Sequence, residues 1–104
     1  MGMEQAVRFS TTPPTWATVG EMLVSRGFRF QVAMIDGQLA FPNEQPSEAW
    51  CELRLRTPQG MVTVRREANR LIFVTWGNAD TGLLEQRDAL VQAFAESGNG
   101  VVEA

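Results

Sequence analysis

The sequence predicts a two-layer α+β fold: an antiparallel sheet of five strands with an N-terminal and a C-terminal helix packed on one face, in the order α-β-β-β-β-β-α. Three observations carry this. Strand-patterned segments follow one another from Phe28 to Trp76. The connections between them are too short for parallel crossovers, so neighbours run antiparallel. Helical patterns flank the whole set, and a sheet with one apolar face needs such cover.

Taken in order, residues 1–11 carry weak signals. Val7 and Phe9 alternate with polar neighbours, so this stretch reads as a flexible terminus or as a short edge strand, the sixth. The first helix lies in TTPPTWATVGEMLVSRGF. Pro13 and Pro14 suit an opening turn, where no amide donor is required. Thr12 or Thr15 can cap it, and Thr18 and Glu21 have capping-box spacing. Trp16, Val19, Met22 and Leu23 form its apolar stripe. Gly27 is placed to end it in a left-handed conformation.

In FRFQVAMI, Phe28, Phe30, Val32 and Met34 alternate with Arg29 and Gln31. Asp36-Gly37 then supplies the two positive-φ residues of a type I′ hairpin turn, and Gln38 to Phe41 returns. The polar, proline-bearing segment 42–48 is the main loop. From Trp50 to Arg56, Cys51, Leu53 and Leu55 share one face, opposite Glu52, Arg54 and Arg56. Thr57-Pro58-Gln59-Gly60 is a tight turn. Met61 to Arg66 is a strand with Val62 and Val64 inward. Glu67 to Arg70 turns again, with Asn69 suited to a left-handed conformation. Leu71 to Trp76 is apolar on both faces, as expected of a central strand. The last helix runs from about Asp80 to Ser97, and Gly98 or Gly100 ends it. The organisation is therefore a single domain over 12–98 with a loose tail at 99–104.

A chain of 104 residues with 44% apolar content suits one globular domain. No apolar run is long enough to span a membrane, and the N-terminus lacks the charged and apolar regions of a signal peptide. The expectation is a soluble cytoplasmic protein.

Composition excludes many chemistries. Histidine is absent, which removes Ser–His and Cys–His nucleophile activation within the chain. Lysine is absent, which removes Schiff-base chemistry; all 9 basic residues are arginine. The single cysteine, Cys51, alternates with Leu53 and Leu55 and reads as a buried small apolar residue. Glu52 beside Arg54 and Arg56 reads as an ion-pairing carboxylate on the sheet. No cofactor and no metal is expected.

The segment GNADTG (77–82) has the glycine spacing of a phosphate-binding loop between a strand and a helix. That loop needs Lys and then Ser or Thr next, and the chain has Leu83 and Leu84. Asp80 would also put a negative charge inside the cradle. The segment is better read as a strand-to-helix corner, in which Gly77 turns the chain and Asn78 or Asp80 caps the helix.

Two surfaces remain. With the helices on one side, the outer sheet face carries Arg29, Gln31, Trp50, Glu52, Arg54, Arg56, Met61, Thr63, Arg65 and Phe73. Arginines mixed with large apolar groups characterise protein interfaces, so Arg29, Trp50, Arg54, Arg56, Arg65 and Phe73 form the candidate interface. The plainer alternative is a solvated face. The second surface is at Arg87, which falls in the middle of the last helix's apolar arc of Leu83, Leu84, Leu90, Val91 and Phe94. Its stem either packs while its head reaches solvent or an acid, or it points into a helix–sheet cleft as a contact for an anionic ligand.

The expected function is thus a non-enzymatic interaction domain, acting as a homodimer or binding a protein partner through its outer face. The alternative is a small-molecule protein that binds an anionic ligand near Arg87. Single-stranded nucleic acid is the third reading; a net charge of −3 opposes it.

Overall fold

The computed structural model describes residues 3–41, 44–76 and 80–103. The elements are β1 (Met3–Arg8), α1 (Trp16–Ser25), β2 (Gln31–Ile35), β3 (Gln38–Leu39), β4 (Glu52–Thr57), β5 (Gly60–Glu67), β6 (Arg70–Thr75), α2 (Thr81–Gly98) and β7 (Val101–Glu103). All strands join one antiparallel 7-stranded sheet in the order β3-β2-β4-β5-β6-β1-β7. The α+β class and the one-sided helical layer match the expectation. The strand count does not: both termini are drawn into the sheet.

The N-terminal segment is not an edge, because β1 is hydrogen-bonded on both sides, to β6 and to β7. The tail expected to be loose becomes β7, paired with β1 and aimed there by the cap of α2. Asn99 takes the left-handed C-cap at φ 53, and the Gly100 amide donates to Ala95 O at 2.7 Å. That cap reverses the chain and lays Val101–Glu103 along β1. Gly100 must be glycine for space: a Cβ there would sit 2.6 Å from Val7 Cγ1 and 2.7 Å from Phe9 Cε1. Glu103 then fixes the strand by accepting from Arg70 Nε at 2.6 Å and from Arg8 Nη2 at 3.4 Å.

Turn chemistry is largely as expected. Asp36 and Gly37 both take positive φ, 50 and 83. Thr15 caps α1, leaving Pro13 and Pro14 ahead of the helix, and Gly27 follows it at φ 85. Asp80 caps α2, its Oδ1 accepting from Leu83 N at 2.8 Å. The expectations for Gly77 and Asn78 lie outside the described residues. At the β5–β6 turn, Ala68 rather than Asn69 is left-handed, at φ 53. The Asn69 side chain is engaged elsewhere: its Nδ2 donates to Phe9 O, while Phe9 N donates to Asn69 O at 2.8 Å. This exchange ties the chain after β1 to the β5–β6 turn.

Register sorts the side chains into two faces. One row, Ile35–Leu53–Val64–Phe73, faces the helices. With Val7, Leu55, Val62 and Leu71 it meets Val19 and Leu23 of α1 and Leu90, Val91 and Phe94 of α2 in one core. The opposite rows are Leu39–Met34–Arg54–Thr63–Val74–Glu4 and Glu52–Arg65–Ile72–Ala6–Glu103. Both described helices pack on the first face, in that core.

Met34, Trp50 and Cys51 are among the residues that depart from the face expected for them. Met34 was expected inward with Val32. A bulge between Val32 and Met34 shifts the register, so Ile35 joins the core and Met34 pairs with Arg54 outside. Trp50 was expected outside but is 1% exposed, with its ring against Phe94. Cys51 was expected buried but is exposed. The cause of both is Asp36, whose Oδ1 accepts from Cys51 N at 2.7 Å and Glu52 N at 2.9 Å. Successive amides of a strand point to opposite sides. Two that converge on one oxygen break the extended conformation, and the alternation behind the expectation stops at Glu52.

Candidate functional site

The outer sheet face differs from the expected one in its aromatic residues. Trp50 and Phe73 belong to the core, at 1% and 0% exposure. Phe73 is inward because the tight turn at Ala68–Asn69 pairs Glu67 with Arg70, and so Val64 with Phe73. A strand apolar on both faces gives alternation nothing to read, and the turn decides its phase. The outer-facing residues of β6 are Ile72 and Val74, which with Ala6 form a small second cluster, each at most 9% exposed.

That cluster contains no residue of either described helix, whereas the core on the other face does. Trp76 continues the outer row past Val74 and is 56% exposed. The Arg65 guanidinium lies 5.7 Å from the Trp76 ring centroid, a cation–π contact worth about 0.5–1 kcal/mol at an exposed position. Arg65 also meets Glu52 at 3.5 Å, and Glu52 reaches Arg54 at 4.0 Å. Further along, Arg70 lies between Glu103 and Glu67. The Glu103 carboxylate accepting its hydrogen bond, and then its charge, raise the Arg70 pKa above the ordinary value. Met34, Leu39 and Met61, the last 38% exposed, add to the apolar content of the face.

Of the expected interface, Arg54, Arg56 and Arg65 stand on this face and are exposed. Arg29 precedes β2 and is exposed at the rim of the sheet. Sequence reasoning missed Trp76. Its signal was present: once Leu71 and Phe73 are assigned inward, period two puts Ile72, Val74 and Trp76 outward together.

Clefts on the described surface include these three. One, about 510 Å³, runs along α1 and is lined by Trp16, Gly20, Glu21, Val24, Phe30 and Gln45 among others. A second, about 410 Å³, is bounded by Arg29, Phe30, Gln31, Arg56, Thr57 and Pro58. The third, about 250 Å³, is the polar recess of Glu4, Gln5, Ala6, Arg70 and Glu103. Arg87 lines none of these three. It is buried within the α2 packing surface, and its Nη2 and Nε donate to Asp88 Oδ1 at 3.0 and 3.3 Å. Stem packing with the head held by an acid describes this geometry.

Two other polar arrangements are structural. Arg66 lies 4.6 Å from the Trp50 ring centroid and donates from Nη1 to Glu48 O at 3.1 Å, holding the segment before β4 over the core. Arg26, the C-cap of α1, and Glu96 of α2 form a two-pronged pair at 3.0 and 2.9 Å. The hydrogen bonds from Arg26 hold the Glu96 carboxyl below its ordinary pKa. Among the described residues, no three of His, Cys, Asp and Glu converge as a metal site would require. No helix there is long and apolar enough to cross a membrane.

No family model, curated protein or solved structure matches this chain.

Proposed function

We propose that this protein is an interaction domain that self-associates through the outer face of its sheet. The observation that carries the reading is the Arg65–Trp76 pair. A half-exposed tryptophan stacks with an arginine beside a buried apolar cluster, on a face that neither described helix covers. Tryptophan and arginine are the residue types most enriched among the energetic anchors of interfaces.

Size and charge favour a second copy. Seven strands about 4.8 Å apart span roughly 29 Å, and strands of about six residues are roughly 20 Å long. The face therefore projects roughly 600 Å², and its accessible area is larger, on the scale of the ~800 Å² per partner of a stable interface. Arginines and glutamates are interspersed across it, at Arg54, Glu52, Arg65, Arg70 and Glu103. A face carrying both signs can meet its own copy across a two-fold axis with each charge opposite its complement. The sheet edges are poor alternatives. β3 has 2 residues and β7 has 3, so neither offers a long ladder to another chain.

Light scattering on a concentration series tests this. The expected result is a dimer mass that gives way to monomer on dilution. A Trp76→Glu, Arg54→Glu double variant should weaken the dimer by about 30-fold or more, as loss of one anchor of about 2 kcal/mol implies. Both positions are exposed, so the fold should survive. A monomer at every concentration contradicts self-association, and a dimer indifferent to the double change means that another surface is used.

A further inference from the structure

The nine arginines sort by partner, and the sorting leaves two over. Arg8, Arg26, Arg54, Arg65, Arg70 and Arg87 each have a carboxylate within 4.0 Å. Arg66 donates to a carbonyl and stacks on Trp50. Among the described residues, Arg29 and Arg56 have neither an ion pair nor a hydrogen bond nor a π partner, and both line the same cleft of about 410 Å³. In a chain with more acids than bases, two uncommitted guanidinium groups at one recess mark a place of positive potential. The planar fork of each suits the two oxygens of a carboxylate.

The groove along α1, apolar apart from Glu21, Ser25 and Gln45, adjoins this recess, because Phe30 lines both. α1 turns its smallest side chains, Ala17 and Gly20, to the groove, and Val24 stands there 72% exposed. Gly20 is not required by packing. A Cβ there would meet only the Trp16 ring, at an ordinary 3.7 Å. Glycine inside a helix costs about 1 kcal/mol relative to alanine, yet here it keeps the groove wide beside Trp16. Each recess falls within the roughly 300–1,000 Å³ of small-molecule sites.

We infer that the two recesses form one site for a small amphiphilic carboxylate, its acid group held between Arg29 and Arg56 and its apolar tail passing Phe30 into the Trp16–Gly20–Val24 groove. Arg29 and Arg56 belong to the expected interface, but the site uses none of Arg54, Arg65 and Trp76, on which the self-association reading rests, so either can fail without the other.

The probe is octanoate, with propionate and 1-octanol as controls, followed by amide and arginine Nε shifts in an NMR titration. Saturable shifts at Gly20, Val24, Phe30, Arg29 and Arg56 are expected with octanoate, and at least tenfold weaker binding of either control. Arg29→Gln with Arg56→Gln should weaken octanoate at least tenfold. Gly20→Leu should do the same by filling the groove, while its melting temperature stays level or rises. Binding no tighter than that of 1-octanol, or unaffected by the arginine pair, overturns the head-group assignment. Octanoate that binds Gly20→Leu as tightly as the parent chain overturns the tail assignment, and no shift with octanoate overturns the whole site.

Discussion

The two ends of the sheet are built differently. At the β6–β1–β7 end, α2 lies directly on the strands, and Val7, Leu71 and Phe73 are all fully buried beneath it. At the β2–β3 end, α1 packs mainly against α2, and Ala33, Met34, Ile35 and Ala40 are only partly buried. The reason is width. Two helices about 10 Å across shade about 20 Å of a sheet roughly 29 Å wide. About two strands are left to be covered by loop residues and side chains, and both of the larger clefts open there. Recruiting both chain termini as strands thus has a consequence: the sheet outgrows its helical layer, and the excess becomes accessible surface.

The largest effect that can break this contrast comes from matched truncations. Leu71→Ala, in the fully buried end, should destabilise by about 2–5 kcal/mol, whereas Ile35→Ala should cost no more than about half of that. Urea unfolding of both variants measures the difference, and equal losses would mean that the two ends are equally packed. Next is Gly100→Ala, which pushes a methyl into Val7 and Phe9. About 1–3 kcal/mol is expected from overpacking, with amide exchange accelerated first in β7 and β1.

A smaller effect belongs to the open end. Asp36→Asn keeps an oxygen that can accept from the Cys51 and Glu52 amides but loses its charge. A cost of about 1 kcal/mol is expected, against about 2 kcal/mol for Asp36→Ala, which removes both bonds. Thermal melts of the two variants should rank in that order. If Asp36→Ala is neutral, the Asp36 carboxylate is not what breaks the strand at Cys51. The smallest effect is at the helix–helix seam. Glu96 should titrate below the ordinary carboxylate range, and Arg26→Gln should return its midpoint upward in an NMR titration. Because the folded-state value is lowered, the stabilisation is present at neutral pH and is lost as pH falls through that value.

The sheet's tight turns were readable because their residues have conformational reasons to be there. Asp36-Gly37 can hardly be anything but a hairpin, and Asp80 and Thr15 cap the helices that follow them. What could not be read is phase. Alternation carries a face assignment along a strand only while the strand stays extended, and the Val32–Met34 bulge and the Asp36 clamp on Cys51 and Glu52 each interrupt it. Those interruptions are set by partners 15 or more residues away in sequence, outside the reach of a local pattern. β7 was invisible for the same reason, since a three-residue strand at a terminus exists only because β1 is there to receive it. The candidate interface suffered most: its arginines were found by composition, but Trp50 and Phe73 were assigned by phase.

The most direct measurement is a dilution series of amide and indole NMR spectra, which reports where the surface changes as copies separate. Shifts concentrated at Thr63, Arg65, Val74 and the Trp76 indole, with α1 and α2 unmoved, are the predicted result. Spectra identical at all concentrations, or changes centred on α1 rather than the outer sheet face, would contradict it.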